Sequence, residues 1–189
     1  MKKGPRPFTS HVKMMMLTLT LPQSGRWFYQ REIQTITGIA YTPVRASLLD
    51  LESFGLLKKR THGNRQYFMI DKDFFLYDEY KRIVLKTTGL GDHLRFVRQD
   101  PKDIVAAFVY GDFAEGTETV ETPIRFCVVG SLRDAQIQKS LSAAARLTQK
   151  KFEYVRFDAP ASASRRPAAL QRLLQAPAIY VVGKPSDLT

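Results

Sequence analysis

Residues 26–68 read RWFYQREIQTITGIAYTPVRASLLDLESFGLLKKRTHGNRQYF, and this stretch holds two helix patterns followed by a hairpin pattern. The first helix is predicted over 29–37, from the spacing of its apolar residues. Gly38 follows at the point where a helix commonly ends in a left-handed residue. Thr42 and Pro43 then suit the N-cap and the first helical position of a second helix. Two helices joined by a short glycine-containing turn predict a helix-turn-helix.

The second helix of this pair has two distinct faces. One face is apolar and predicts core contacts for Val44, Leu48 and Leu51. The other face is predicted to project away from the core and carries Thr42, Ala46 and Leu49, with Arg45 at its flank. A recognition helix presents its N-terminal outer residues to base edges in the major groove. We therefore expect Arg45 to bind guanine, Thr42 a phosphate or a base, and Ala46 a thymine methyl group.

An earlier amphipathic helix and a later hairpin complete the N-terminal pattern. Apolar residues recur at helical spacing at Val12, Met15, Met16 and Leu19. Downstream, two extended runs flank a tight turn at Gly63 and Asn64. The hairpin carries a set of basic residues: Lys58, Lys59, Arg60, His62 and Arg65. A basic hairpin beside a recognition helix is a wing, which holds phosphates or enters the minor groove. The alternative is a winged helix that serves a structural or protein-docking role.

The charge distribution favours a nucleic-acid partner. The chain has 189 residues and a formal net charge of +11, and residues 1–70 contain eleven basic against three acidic residues. That balance indicates a polyanionic partner, either nucleic acid or an anionic membrane. No apolar run approaches the roughly 18 residues of a membrane span, so no membrane partner is expected. A single cysteine, Cys127, excludes an internal disulfide framework and favours a cytoplasmic location.

The C-terminal half alternates strand-like and helix-like runs, which predicts a small α/β domain with a mixed sheet. The strand-like runs are Val105–Tyr110, Ile124–Val129, Phe152–Phe157 and Ile179–Val182, and the helix-like runs are Asp134–Lys150 and Arg165–Gln175. The predicted fold class is therefore α+β. We expect a DNA-binding domain over 1–72, a connecting helix region over 73–100 and the α/β domain over 101–189. The connecting helix is anchored by Phe75, Tyr80, Val84 and Leu85.

Two resemblances agree with this reading. Residues 26–68 resemble the winged-helix regulators of bacteria and archaea of the ArsR-like type. With LKTTGL at 85–90, AFVYGDFAEGTE at 107–118 and VVG at 128–130, nearly the whole chain resembles winged-helix regulators fused to a minimal nucleotidyltransferase domain. That resemblance implies a nucleotidyltransferase fold for the second domain.

The residues that the chemistry of that family needs are replaced here. The family carries Gly-Ser at the start of a helix and Asp-x-Asp on the next strand, where the aspartates bind Mg²⁺ and the metals bridge to nucleotide phosphates. Aligned without a gap, Tyr110 and Gly111 match the family, Asp112 replaces the serine, and Pro123 and Arg125 replace the aspartates. The resemblance thus implies a domain that is not an enzyme, with no metal and no cofactor. Gly111, Asp112 and Arg125 stay candidates for binding a small anion.

The leading hypothesis is a homodimeric transcription regulator whose second domain serves dimerisation or ligand sensing. A dimer is expected because one helix-turn-helix reads only a short half-site. Two alternatives stay open. One is an active, antitoxin-like nucleotidyltransferase that modifies a partner through another acidic set, such as Asp112, Glu121 and Asp158. The other is a metal-independent nucleotide or anion sensor at Arg125, with a small anionic effector.

Overall fold

The structure, a computed structural model, describes residues 10–87, 103–159 and 166–188. The chain forms two units, Met1–Gly89 with Leu147–Gln149, and Leu90–Arg146 with Lys150–Thr189. Helices and strands occur in both units, so the predicted α+β class is confirmed. Within the three described ranges, no helix is long and apolar enough to cross a membrane.

Between residues 10 and 87, the first unit contains four α-helices and a small antiparallel sheet. Its elements are α1 (His11–Thr20), a 3₁₀ turn (Leu21–Gln23), β1 (Phe28–Tyr29), α2 (Gln30–Thr37), α3 (Tyr41–Ser53), β2 (Leu57–His62), β3 (Arg65–Ile70) and α4 (Tyr77–Thr87). The strands pair in the order β1–β3–β2. The order of helices and hairpin is the one that the sequence predicts.

Helix α1 follows its apolar spacing. The Ser10 side chain caps the helix by accepting a hydrogen bond from the Lys13 backbone N–H at 3.3 Å. Met16 and Leu19 are fully buried, while Val12 and Met15 are partly buried against the same core. The predicted inward face of α1 is therefore confirmed.

The turn between α2 and α3 confirms one prediction and corrects another. Gly38 lies at the C-cap of α2 with φ 68°, and its N–H donates to the Gln34 carbonyl at 2.9 Å. Thr42, in contrast, is not the N-cap of α3. Ala40 takes the extended N-cap conformation, with φ −58° and ψ 152°, so the helix begins at Tyr41 and Thr42 lies inside its first turn. The Val44 N–H donates to the Ala40 carbonyl at 3.3 Å, so the first helical hydrogen bond already forms before Thr42 and leaves Thr42 no capping position.

Helix α3 has the inward face that its sequence predicts, with one exception on the outward face. Val44, Leu48 and Leu51 are buried in the core of the unit. Leu49 was expected to project away from that core. It is instead half-buried and packs against the core cluster.

The hairpin forms as predicted. Strands β2 and β3 pair from Leu57 opposite Ile70 to His62 opposite Arg65. The turn has two residues, and Gly63, the first of them, has φ 56°. Glycine is favoured at that position because hairpin turns need a positive φ there.

Helix α4 belongs to the first unit. Tyr77 and Val84 are part of its core cluster, and Leu85 is also buried. The region 73–100, expected to be a connection, therefore supplies core residues over α4. Phe75 was expected to be an inward anchor, but it precedes the helix and is 81% exposed. Residues 88–100 of this prediction lie outside the described ranges.

The second unit is built on a four-stranded mixed sheet, as predicted. Its elements are β4 (Ala106–Tyr110), α5 (Asp112–Glu115), β5 (Ile124–Val129), α6 (Asp134–Thr148), β6 (Phe152–Phe157), α7 (Ala168–Gln175), β7 (Ala178–Val182) and a 3₁₀ turn (Pro185–Leu188). The strand order is β6–β5–β4–β7. Strand β4 is antiparallel to β5 and β7, whereas β5 and β6 are parallel.

The two central strands are apolar because the sheet is covered on both faces. Ala106, Phe108 and Val109 of β4 are fully buried, and so is Cys127 of β5. Burial raises the pKa of the Cys127 thiol to about 12. The cysteine is therefore a protonated packing residue, as its apolar neighbours in the sequence indicate.

Candidate nucleic-acid interface

The N-terminal half of α3 offers a polar and small-residue surface. Thr42, Arg45 and Ala46 are exposed, as the sequence predicts. None of the described carboxylates forms an ion pair with Arg45. Leu49 does not belong to this surface, because its side chain contributes to the core of the unit. The other exposed residues of α3 beyond its first two turns are Asp50, whose carboxylate pairs with Lys13, and Ser53 at its end.

The two lysines of the hairpin are held by neighbouring carboxylates. Lys58 lies 2.8 Å from Asp71 and 3.2 Å from Asp73. These hydrogen bonds, with Asp71 the stronger influence, raise the pKa of Lys58 above its ordinary value. Lys59 points to the other face and lies 3.2 Å from Glu52 of α3. Both positive charges are therefore largely compensated within the unit, which the sequence did not predict.

The two arginines of the hairpin are held differently. The Arg60 guanidinium lies 4.3 Å from the Trp27 ring and 5.4 Å from the Tyr67 ring. The Arg65 guanidinium lies 5.4 Å from the Tyr29 ring. A guanidinium over an aromatic face is oriented by that ring but keeps its full charge.

The hairpin arginines share one face of the small sheet with the aromatic rings. Side chains alternate along a strand, so Arg60 opposite Tyr67 and His62 opposite Arg65 point to the same side. His62 and both arginines are exposed. No ion pair joins either arginine to a carboxylate in the part of the chain that the structure describes. This face carries the uncompensated charge of the hairpin.

Three aromatic residues of this face were not singled out from the sequence: Trp27, Tyr29 and Tyr67. The alternation of Tyr67 with buried Phe68 was visible, but the pairing of Tyr29 with Tyr67 was not. Strand β1 has only two residues, too short for an alternating pattern to show. The arginine–aromatic contacts therefore depend on a register that only the structure supplies.

The second unit brings together the three residues that were expected to form an anion site. Gly111 precedes α5, Asp112 opens it, and Arg125 of β5 lies opposite Tyr110. The Arg125 guanidinium is 3.7 Å from the Asp112 carboxylate and 3.5 Å from that of Glu153 on β6. One arginine thus stands between two carboxylates. An added anion at Arg125 would have to compete with both of them.

A metal site is not apparent around these residues. Pro123 offers no ligand atom, and the ion pair with Arg125 already engages Asp112. Asp158, named with Asp112 and Glu121 as another acidic set, lies 3.6 Å from Arg156. No group of three His, Cys, Asp or Glu residues that could hold a metal ion occurs across 10–87, 103–159 and 166–188.

Lys150 organises the segment that precedes Pro123, and no pattern in the sequence predicts this role. Its ammonium group donates to the carbonyls of Thr119, Val120 and Thr122 at 2.9, 2.6 and 2.8 Å. Burial lowers the pKa of Lys150, although Glu118 and Glu121 oppose that shift. A lysine in this role fixes a loop, and its charge is directed inward rather than towards a ligand.

Comparison with known proteins assigns no family. No family model matches the chain, and no curated protein matches it. A solved structure of a mutant toxin–antitoxin pair, MntA–HpeT, is similar with a TM-score of 0.39 and 12% identity, over 53% of this chain and 78% of that chain. A likeness of that size establishes neither a fold nor an activity. The comparisons give DNA binding no support.

Proposed function

We propose that this protein is a transcription regulator that binds double-stranded DNA through α3 and the β2–β3 hairpin of its first unit. The observation that carries the proposal is a set of three exposed arginines on these two elements: Arg45, Arg60 and Arg65. None of the three pairs with a described carboxylate. Uncompensated arginines on a helix and its adjacent hairpin favour a polyanionic ligand that is wide enough to reach both.

The two elements would have different tasks. Helix α3 enters the major groove, where Arg45 binds guanine and Ala46 contacts a thymine methyl group. Thr42 lies in the same first turns and binds a phosphate or a base. The hairpin binds the backbone through Arg60 and Arg65, which supplies affinity without sequence preference. His62 at the hairpin tip adds a hydrogen-bond donor.

The regulator acts as a homodimer in this proposal. A single helix-turn-helix reads few base pairs, and two copies related by a twofold axis read two half-sites about one helical turn apart. Whether the regulator activates or represses transcription depends on the position of its operator in the DNA.

The second unit serves dimerisation or ligand sensing and does not catalyse nucleotidyl transfer. At the positions where the resembled family has aspartates, this chain has Pro123 and Arg125. The Arg125 guanidinium instead forms ion pairs with Asp112 and Glu153 at this position. Without carboxylates free to bind Mg²⁺, the phosphates of a nucleotide meet no compensating cations.

The second candidate function is an antitoxin-like nucleotidyltransferase that modifies a partner protein. The YGDFAEGTE segment that resembles the family favours it. Melting temperatures with ATP, with and without Mg²⁺, separate the candidates. A pseudo-enzyme gives no Mg²⁺-dependent shift, whereas a rise of several degrees that requires Mg²⁺ supports the nucleotidyltransferase. A rise that needs no metal and disappears in Arg125→Gln supports the anion sensor.

The main proposal is tested by selecting duplexes that the full chain retains from a random pool. We expect an enriched palindrome, and we expect Arg45→Ala to alter the recovered sequence at one base pair, at a cost of about 1–3 kcal/mol. Asp78→Ala, on α4, is the control and should recover the same palindrome. A pool that shows no enrichment after repeated rounds would contradict sequence-specific regulation.

A further inference from the structure

A cleft of about 370 Å³ lies between the first turn of α2, the start of α3 and the hairpin turn. Its lining includes side chains that each carry an N–H or O–H donor: Gln30, Tyr41, Arg45, Thr61, Asn64 and Gln66. No carboxylate is among the residues that line it. A concave surface rich in donors and free of negative charge suits an oxyanion.

Gln30 is the unusual member of this lining. The residue is 3% exposed, yet its side-chain Nε2 has no hydrogen-bond partner among the described residues. A buried amide donor without a partner destabilises a protein, because its bonds to water are lost and nothing replaces them. Such a group calls for an explanation other than packing. An acceptor bound in the cleft would supply the missing partner.

The surroundings of Gln30 add positive potential. Gln30 is the first residue of α2, and the N-terminal end of a helix carries a partial positive charge. Arg45, across the cleft, is exposed and has no carboxylate partner in the described ranges. The acid nearest in sequence is Glu32, whose carboxylate already pairs with Arg26 and accepts the Tyr29 backbone N–H at 3.3 Å.

We propose that this cleft binds a phosphate oxyanion, with Gln30 as its principal donor and the charge of Arg45 adding positive potential. The proposal rests on the proposed function for the source of that phosphate, a phosphodiester of the duplex backbone. The cleft separates the two elements that would contact DNA, so a strand passing from α3 to the hairpin crosses it. Gln30 is uncharged and therefore contributes a hydrogen bond without releasing a counterion from the DNA.

The test compares Gln30→Met with Gln34→Met in the full chain. Gln34 lies one turn further along α2 and does not line the cleft. Removing the unpartnered buried amide should leave the melting temperature of Gln30→Met unchanged or raise it. Its affinity for a short duplex should fall about tenfold, the loss of one hydrogen bond to a charged group. The slope of affinity against salt should not change, and Gln34→Met should bind like the wild type.

A second variant, Gln30→Glu, keeps the shape of the side chain and places a carboxylate in the cleft. It should bind the duplex more weakly than Gln30→Met does, because the carboxylate repels the phosphate. Inorganic phosphate is the second probe, measured as a shift in melting temperature against chloride at equal ionic strength. The site is assigned to the DNA backbone if the wild type binds the duplex, this binding is weakened by the Gln30 variants, and inorganic phosphate causes no shift in melting temperature.

The remaining outcomes separate the two proposals. One outcome is that the wild type fails to bind duplex while inorganic phosphate raises its melting temperature but not that of Gln30→Met. In that case the DNA-binding function fails and the cleft is a site for free phosphate. If the wild type binds duplex, and Gln30→Met and Gln30→Glu respond to the duplex and to inorganic phosphate as the wild type does, the cleft inference is wrong while DNA binding stands.

Discussion

At the scale of single residues, the partner of a basic side chain determines what that side chain can bind. The hairpin sequence shows Lys58, Lys59, Arg60 and Arg65 as one basic group. In the structure, the lysines are paired with carboxylates and the arginines rest on aromatic rings. The sequence could predict that these side chains are exposed, because lysine and arginine are rarely fully buried. It could not predict their partners, because Asp71 and Trp27 reach the hairpin through tertiary folding.

This difference leads to a prediction at Lys58. Replacing Asp71 and Asp73 with asparagine removes the two charges that compensate Lys58 while keeping side chains of the same shape. The freed ammonium group should then bind a phosphate, so affinity for duplex DNA rises and the salt slope steepens by about one contact. The pKa of Lys58 should fall towards its ordinary value, because its raised pKa depends on those carboxylates.

The control for this prediction is the pair Asp78→Asn and Glu79→Asn on α4. It removes the same amount of negative charge from the first turn of that helix and leaves both carboxylates that pair with Lys58 in place. Binding measured by fluorescence anisotropy should rise more in the Asp71 and Asp73 variant than in the control. An equal rise in both would mean that total charge, and not the release of Lys58, sets the affinity.

At the scale of elements, periodic patterns predicted the helices and strands well, and isolated cap residues less so. Strands β5 and β6 begin and end where the sequence predicts. The start of α3 was misplaced because Thr42 followed by Pro43 looks like a cap. The connection from Gly38 instead lets Ala40 take that position without a side-chain bond. Phe75 was placed in a helix on its apolar character alone, and it lies outside that helix.

The turn between α2 and α3 sets the second prediction. Gly38 has φ 68°, and an added Cβ would meet no atom within 4 Å. Gly38→Ala should therefore lower the free energy of unfolding by about 1–2 kcal/mol. The cause is the left-handed backbone conformation and not crowding of the added methyl group. Gly38→Asn should cost less, since asparagine tolerates the left-handed region better.

The measurement for Gly38 is urea unfolding followed by tryptophan fluorescence. Trp27 is the single tryptophan of the chain and lies in the first unit, so the signal reports on that unit. Equal stability of the alanine variant and the wild type would show that this turn does not hold a left-handed residue in solution.

At the scale of the whole molecule, positive charge is concentrated in one part of the chain. Residues 1–70 account for eight of the eleven net positive charges. The second unit instead engages two of its cations in contacts of its own, with buried Lys150 on three carbonyls and Arg125 between two carboxylates. The sequence showed the first part of this contrast through composition. The second part depends on contacts between residues far apart along the chain, which composition does not report.

The oligomeric state gives the third prediction. A regulator that reads two half-sites should be a dimer at micromolar concentration, and its mass on a duplex bearing two half-sites should be that of two chains. Multi-angle light scattering of the free protein and of the complex measures both. A single chain in both samples would exclude the dimer while leaving duplex binding in place.

The most direct test of duplex binding by the first unit is the affinity of the full chain for duplex DNA across a range of salt concentrations. The logarithm of the binding constant should fall linearly with the logarithm of the salt concentration. In the double variant that combines Arg60→Ala and Arg65→Ala, the slope should be shallower by the equivalent of about two phosphate contacts. The control Arg82→Ala with Arg172→Ala removes the same charge from α4 and α7 and should keep the slope nearly unchanged. No binding at low salt, or equal slopes for the two double variants, would contradict the account.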